Sequence, residues 1–485
     1  MAKCETCQPT CRCPMMGRRD FLSAMSLAAS ALAVKTGLMD FASTVVADQP
    51  KPAGRPKVRV LFLRPTNQKE YWMSWPGETY DVAGSQALYT KIMSEAAQQQ
   101  GVQLEVQSEP VADAAQLATL LGQLKQSPPE GVILTLMHMN RWGLVNEFVK
   151  KKGDLPAIVF APMGVAFTGH LYETRNAPKT FVASTQDVQW LGQAVRMFRS
   201  MWAMKKTRIC ILAGDKTNDV VIPTVGTTMH YVPRERWPKE FDKTETTDEM
   251  RAIAAYYSKE TKKIVEPKPE DVLNAAKNYV IAKKIMAEEN CQGISMDCLG
   301  LVRVRRIPCP PCIAWSRLLD EGGVGCCEAA TTSAISQLLS AQLTGRPGFM
   351  QDPAPNTVNN TFMGAHCTSP TRLAGFDKPP VPFLLRNHSE SAMGCVPQVL
   401  WPLEQDITLM QFVSGDTMIL GTAQVVGNID TPPSGGCRTS VDLAMYNVAD
   451  CRDVKGFHQL FILGKQDHHF RAYAQLAGIK VQPIA

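Results

Sequence analysis

At 485 residues, 45% hydrophobic and 20% charged, the chain has the composition of a globular protein with length for two or three domains. Its formal charge of +6 is thinly spread, and no cluster of Lys and Arg is interleaved with aromatics, which excludes nucleic acid as a partner. Beyond the amino-terminal segment no run is long and apolar enough to span a bilayer, so no membrane span is expected in the mature chain.

The amino terminus reads "MMGRRDFLSAMSLAASALAVKTGLMDFASTVVADQ". Arg18 and Arg19 precede Phe21-Leu22 and a weakly apolar run of small residues, and Ala47 offers a small-residue cleavage point. Residues 1–47 therefore resemble a twin-arginine signal peptide. The expectation is export by the twin-arginine machinery to a periplasmic or extracellular location, with any cofactor already in place. Four of the 15 cysteines lie in this segment; the 11 that remain are an odd number, which leaves at least one unpaired.

After the lead Gln49–Lys57, "VRVLFLRP" is a continuous apolar run with β-branched members, as in a buried strand. "SQALYTKIMSEAAQQQG" predicts a helix closed by Gly101, and "DAAQLATLLGQLKQ" one capped by Asp113. "GVILTLM" and "PAIVFAP" continue a strand–helix alternation, the sign of a parallel sheet. A second series is read from "TFVAST" near Thr180, through "RICILAG" and "PEDVLNAAKNYVIAKKIMAEENC", to "GISMDC". From about Pro353 short alternating runs such as "DITLMQFV" and "DTMILGTAQVVG" replace this pattern. The expected fold is α/β: two Rossmann-like parallel α/β domains (57–178 and 179–352) followed by a β-rich, barrel-like carboxy-terminal domain (353–485).

The stretch "GVGCCEAATTSAISQLLSAQLTGRPGFMQDP" holds Glu328 and Asp352 apart with nothing acidic between them. Ile335, Leu338, Leu339 and Leu343 recur at helical spacing over Ala329–Thr344, and Gly345 is a natural stop. Such a helix is roughly 24 Å long, and an extended return from Gly345 to Asp352 covers roughly 23 Å. The chain can therefore bring Asp352 back beside Glu328, where two carboxylates need a cation or a proton between them. Spacing alone leaves open that Glu328 simply favours its helix's positive end and that Asp352 opens a turn.

These residues carry a resemblance. "CEAATTSAISQLLSAQLTGRPGFMQDP", with its acids 24 positions apart, is similar to the metal-binding segment of the L-fucose isomerase/L-arabinose isomerase-like family. "FHQLFILGK" resembles the fucose isomerase segment with the metal histidine, matched by His458; "FMGAHCTSP" resembles an arabinose isomerase segment, matched by His366; "LGKQDHHF" resembles that enzyme's late histidine pair, matched by His468 and His469. The resemblance spans about residues 296–485 and is architectural before that. It implies a metal-dependent aldose–ketose isomerase working through an enediol on a small sugar, and assembly as a homo-oligomer, a trimer or hexamer. It also implies a divalent metal such as Mn²⁺ held by Glu328, Asp352, His458 and His366, with Glu328 and Asp352 moving the proton. His388 and Glu390 in "RNHSES" lie two apart, on one face if this is a strand, and are weaker substrate candidates with His468 and His469. His138, His170 and His230 are read as packing or surface residues.

Two other readings stand beside it. One is a catalytically silent, exported carbohydrate-binding protein, whose sugar-induced stabilisation would ignore a chelator. The other is a thiol redox protein using "CPPC", Cys309 and Cys312.

Overall fold

The structure, a computed structural model, describes residues 54–66, 81–430 and 436–485. The twin-arginine segment lies outside them. Among the described residues no helix is long and apolar enough to cross a membrane.

The first sheet contains β1 (Lys57–Leu63), β2 (Gln103–Val106), β3 (Gly131–Leu136), β4 (Ala157–Pro162) and β5 (Thr180–Thr185), all parallel in the order β2-β1-β3-β4-β5. Its crossovers are α1 (Val82–Gln100), α2 (Ala114–Gln126) and α3 (Trp142–Lys151). Gly101 ends α1 in the left-handed conformation, and the Asp113 carboxylate accepts the Gln116 N–H at the start of α2. The continuous apolar run of β1 has a physical reason: Val58, Val60 and Phe62 face one buried cluster, while Leu61 and Leu63 face another under α2 and α3. The Thr180 strand belongs to this sheet, as the partner of β4, and does not open the second series.

The second sheet follows α4 (Trp190–Lys206) and is built from β6 (Arg208–Leu212), β7 (Asn218–Val221), β8 (Thr228–Val232), β9 (Gly293–Met296) and β10 (Val324–Cys327), ordered β10-β9-β6-β8-β7. All its pairs are parallel except β7–β8. Between β8 and β10 come α5 (Arg236–Lys243), α6 (Asp248–Glu260), α7 (Pro269–Glu288), α8 (Cys298–Arg303) and α9 (Cys312–Asp320). Helix α10 (Thr331–Thr344) then starts two residues later than periodicity predicts, because Glu328 and Ala329 are left-handed, at φ 62° and 53°. Ile335, Leu338, Leu339 and Leu343 are buried as expected, and each contributes about 2 kcal/mol by that burial. Ser333, Ser336 and Ser340 on its other faces are buried too, each donating to a carbonyl.

The third sheet is antiparallel apart from one strand. It uses β11 (Phe349–Met350), β12 (Asp352–Asn356), β13 (Thr361–His366), β16 (Asp406–Ser414), β17 (Thr417–Asn428), β18 (Thr439–Met445) and β19 (Leu460–Leu463), in the order β11-β19-β16-β17-β18-β13-β12. Strand β20 (Lys480–Pro483), after α11 (Asp467–Ala477), joins β17 in parallel, and β14 (Phe383–Arg386) and β15 (Val396–Val399) form a separate ribbon. The end strands β11 and β12 are divided by Gln351 alone, so the sheet must curl until its two edges meet at a seam. Tight packing maintains that curl: a Cβ on Gly364 would lie 2.3 Å from the Phe461 ring and 2.8 Å from the Gln351 side chain.

Candidate functional site

The seam gathers the acids and two of the histidines. Glu328 stands in the turn directly after β10, and Asp352 is the first residue of β12. His366 ends β13, one step beyond the Asp352–Ala365 register pair. His458 lies just before β19 and is itself left-handed, at φ 66°. Backbone pairing of Met350 with Leu460 and of Gln351 N–H with the Gln459 carbonyl places Asp352 beside His458.

His458 Nε2 is 3.0 Å from Asp352 Oδ1 and 3.5 Å from Glu328 Oε2, while His366 Nε2 is 3.5 Å from Glu328 Oε1. One ligand atom each from Glu328, His366 and His458 falls within 4.8 Å of the others. The helix-and-return geometry expected for Glu328 and Asp352 is therefore what the fold produces: both carboxylates face one imidazole. Three consecutive-shell contacts missed by sequence reasoning hold the arrangement. Ser333 donates to the His458 carbonyl at 3.0 Å, tying the first turn of α10 to the histidine loop. Gln351 Nε2 donates to Gln459 Oε1 at 2.6 Å. The Cys367 N–H donates to His366 Nδ1 at 3.0 Å. Only the Gln next to Asp352 and the Gln next to His458 offered a signal, and their pairing needed the sheet register. Left-handed backbone at Glu328, Ala329 and His458 costs about 1–3 kcal/mol per residue and is typical of sites where side-chain aim outranks backbone ease.

Asp352 Oδ1, His366 Nε2 and His458 Nε2 are buried and none makes a well-aligned hydrogen bond, although Asp352 Oδ1 and His458 Nε2 are only 3.0 Å apart. Burial would raise the Asp352 carboxyl, but His458 and the charge of His366 win and hold it below the usual range. At His366 burial works to lower the imidazole, yet Glu328 and Asp352 prevail and push it up to about 9. The Cys367 N–H donated to Nδ1 works against that shift, because it needs a lone pair there and so favours the neutral ring with its proton on Nε2. His366 is thus set up to donate, whereas His458 has no such contact on its other nitrogen among the described hydrogen bonds. Among the described residues Glu328, His366 and His458 form the group whose ligand atoms are close enough to share a cation, with Asp352 Oδ1 3.0 Å from His458 Nε2; such oxygen and nitrogen donors suit Mn²⁺-like ions.

The other candidates lie differently. His388 and Glu390 are in a turn beyond β14 and share no strand face; His388 is buried against the Ser391 hydroxyl at 3.0 Å, and Glu390 is exposed. His468 and His469 are in α11, ring centres 3.9 Å apart, and burial followed by the charges of His468 and Arg196 lowers His469 to about 4. Helix α11 packs against β5, β17, β20 and α10. Cys309 and Cys312 are both buried, and burial pushes the Cys309 thiol up to about 12 and Cys312 well above its usual value. The reactive-thiolate reading of "CPPC" is corrected accordingly.

No family model matches the chain, and no curated protein matches it. Among solved structures it is similar to a carbohydrate transporter from Acidothermus cellulolyticus 11B in complex with myo-inositol, at 14% identity over 61% of this chain and 89% of that one, TM-score 0.18. It is also similar to an ABC transporter solute-binding protein from Burkholderia multivorans, at 11% identity, 60% and 93% coverage, TM-score 0.19. A third is a sugar ABC transporter protein from Yersinia enterocolitica subsp. enterocolitica 8081, at 14% identity, 60% and 79% coverage, TM-score 0.18. At these TM-scores the likenesses say nothing of what this chain binds. The isomerase identification is corrected: no family model or curated relative supports it, and these similar structures are transport proteins. With it go the enediol chemistry, the proton-transfer roles of Glu328 and Asp352, and the trimer or hexamer that the resemblance implied.

Proposed function

We propose that this is an exported carbohydrate-binding protein that grips a small sugar or polyol without turnover, through a divalent cation held by Glu328, Asp352 and His458. The observation that supports the reading is the cluster of buried ligand atoms in which His458 Nε2 faces both Asp352 Oδ1, at 3.0 Å, and Glu328 Oε2, at 3.5 Å, without well-aligned hydrogen bonds. Two carboxylates gathered on one imidazole repel unless a proton or a cation lies between them, and a cation can take all three donors at once. When bound, such an ion supplies open positions that neighbouring hydroxyl oxygens can occupy. The chain's own part is to hold those ligands rigidly from three strand ends and to present the His366 Nε2–H as a donor to a hydroxyl. This departs from a chelator-insensitive binder, because the acids sit where the ion would.

The test is titration calorimetry of metal-stripped protein with manganese chloride, followed by thermal-shift screening of pentoses, deoxyhexoses and polyols with and without EDTA. One ion per chain is expected, together with a sugar-induced rise that EDTA abolishes. Full metal occupancy in Glu328→Gln, or a sugar response indifferent to EDTA, refutes the reading.

A further inference from the structure

Behind the site lies a small apolar pocket of sulfur. Cys312, Cys367 and Val396 form a buried cluster of their own, and Cys437 covers it. Cys367 is the residue after His366, at the end of β13; Cys437 lies two residues before Thr439, the register partner of His366 in β18. The two cysteines therefore lie just past the same end of one cross-strand pair, and Cys437 packs against the cluster that holds Cys367. Cys367 is 1% exposed, while Cys437 is only half-buried and can be reached from solvent. Cys312, the third sulfur of the cluster, is buried.

We propose that Cys367 and Cys437 are a modification site, closing to a disulfide by exchange with a low-molecular-weight disulfide such as oxidised glutathione. The Cys437 thiol loses its proton to water, and its sulfur attacks the oxidant; a Cys437–glutathione bond forms, the oxidant's S–S bond breaks, and one glutathione leaves as thiol. The Cys367 sulfur, also giving up its proton, then displaces the second glutathione from Cys437. Two protein thiols lose two electrons in all, and one glutathione disulfide becomes two thiols. An exported chain would meet such oxidants routinely. The bond would pin the backbone of Cys367, whose N–H sets the proton of His366, and would close a loop between residues 367 and 437.

Full-length protein purified under reductant and equilibrated with oxidised glutathione is digested without reduction and mapped by mass spectrometry, beside Cys437→Ser. In the wild type a peptide containing Cys367 is expected to be linked to one containing Cys437, reversed by dithiothreitol, with an unfolding midpoint roughly 5 °C higher in the oxidised form. Cys437→Ser should show neither the link nor the shift while keeping the far-ultraviolet circular dichroism of the reduced wild type. A Cys312–Cys367 link, a Cys437 adduct that goes no further, or thiols at both positions still open to alkylation would overturn the proposal.

Discussion

His366 and His458 lie 6.2 Å apart, ring centre to ring centre, yet their tasks differ. A backbone N–H occupies Nδ1 of the first and places the proton of its neutral ring on Nε2, as a donor to a bound hydroxyl, whereas His458 Nε2 faces Asp352 at 3.0 Å and is the nitrogen proposed to take the cation. His458→Gln is predicted to weaken manganese binding on the order of 100-fold. His366→Gln should leave metal affinity little changed and lower sugar affinity about five- to tenfold, the worth of one neutral hydrogen bond; calorimetry on both variants separates the two roles. Asp320, at the end of α9, offers a pH test. It accepts the Thr371 N–H, the Thr371 hydroxyl and the Arg372 N–H at 2.8, 2.6 and 2.7 Å, yet burial outweighs these donors and pushes its carboxyl up to about 6. Its folded value lies above the unfolded value of about 3.9, so its stabilisation is complete below about pH 4 and is lost as pH rises through about 6, a change of about 3 kcal/mol. Asp320→Asn should unfold more easily throughout, having one acceptor oxygen, but without that part of the slope; urea midpoints across this range decide it.

At the scale of elements, two glycines make different demands. Gly345 ends α10 at φ 67°, and its nearest neighbour to an added Cβ is an Arg196 nitrogen at 3.5 Å, so Gly345→Ala pays only for the left-handed backbone, about 1 kcal/mol. Gly364 has an ordinary strand conformation but no room beside Phe461 and Gln351, so Gly364→Ala should cost about 2–3 kcal/mol by overpacking and loosen manganese binding as well. Thermal unfolding of the two variants tests the order. The stop at Gly345, the buried face of α10 and the return to Asp352 could be read from the sequence because they depend on local period and reach. The seam could not, because the pairing of Met350 with Leu460 and of Asp352 with Ala365 is long-range register with no local signal. Whether His388 and Glu390 share a strand face was likewise open in the sequence: the chain leaves β14 at Arg386, and the Arg386 guanidinium and the Asn387 N–H are held by Glu266, far away in sequence.

For the molecule as a whole, the site joins two sheets. Glu328 hangs from β10 at the edge of the second parallel sheet, while Asp352, His366 and His458 belong to the curled one. The proposed cation would act between them as a cross-brace, at a site that only the folded chain offers. At about 100 times its dissociation constant it adds about 2.7 kcal/mol. Manganese-loaded wild type should therefore melt a few degrees above the EDTA-treated protein, and Glu328→Gln should melt alike in both; scanning calorimetry measures the gap. Gln351 also carries a consequence for any change in chain length. Because successive side chains of a strand alternate faces, one amino acid added beside it would keep every hydrophobic residue of the region and still turn the carboxylate of Asp352 outward. The spacing at that joint, more than the identity of its neighbours, is what aims the acid.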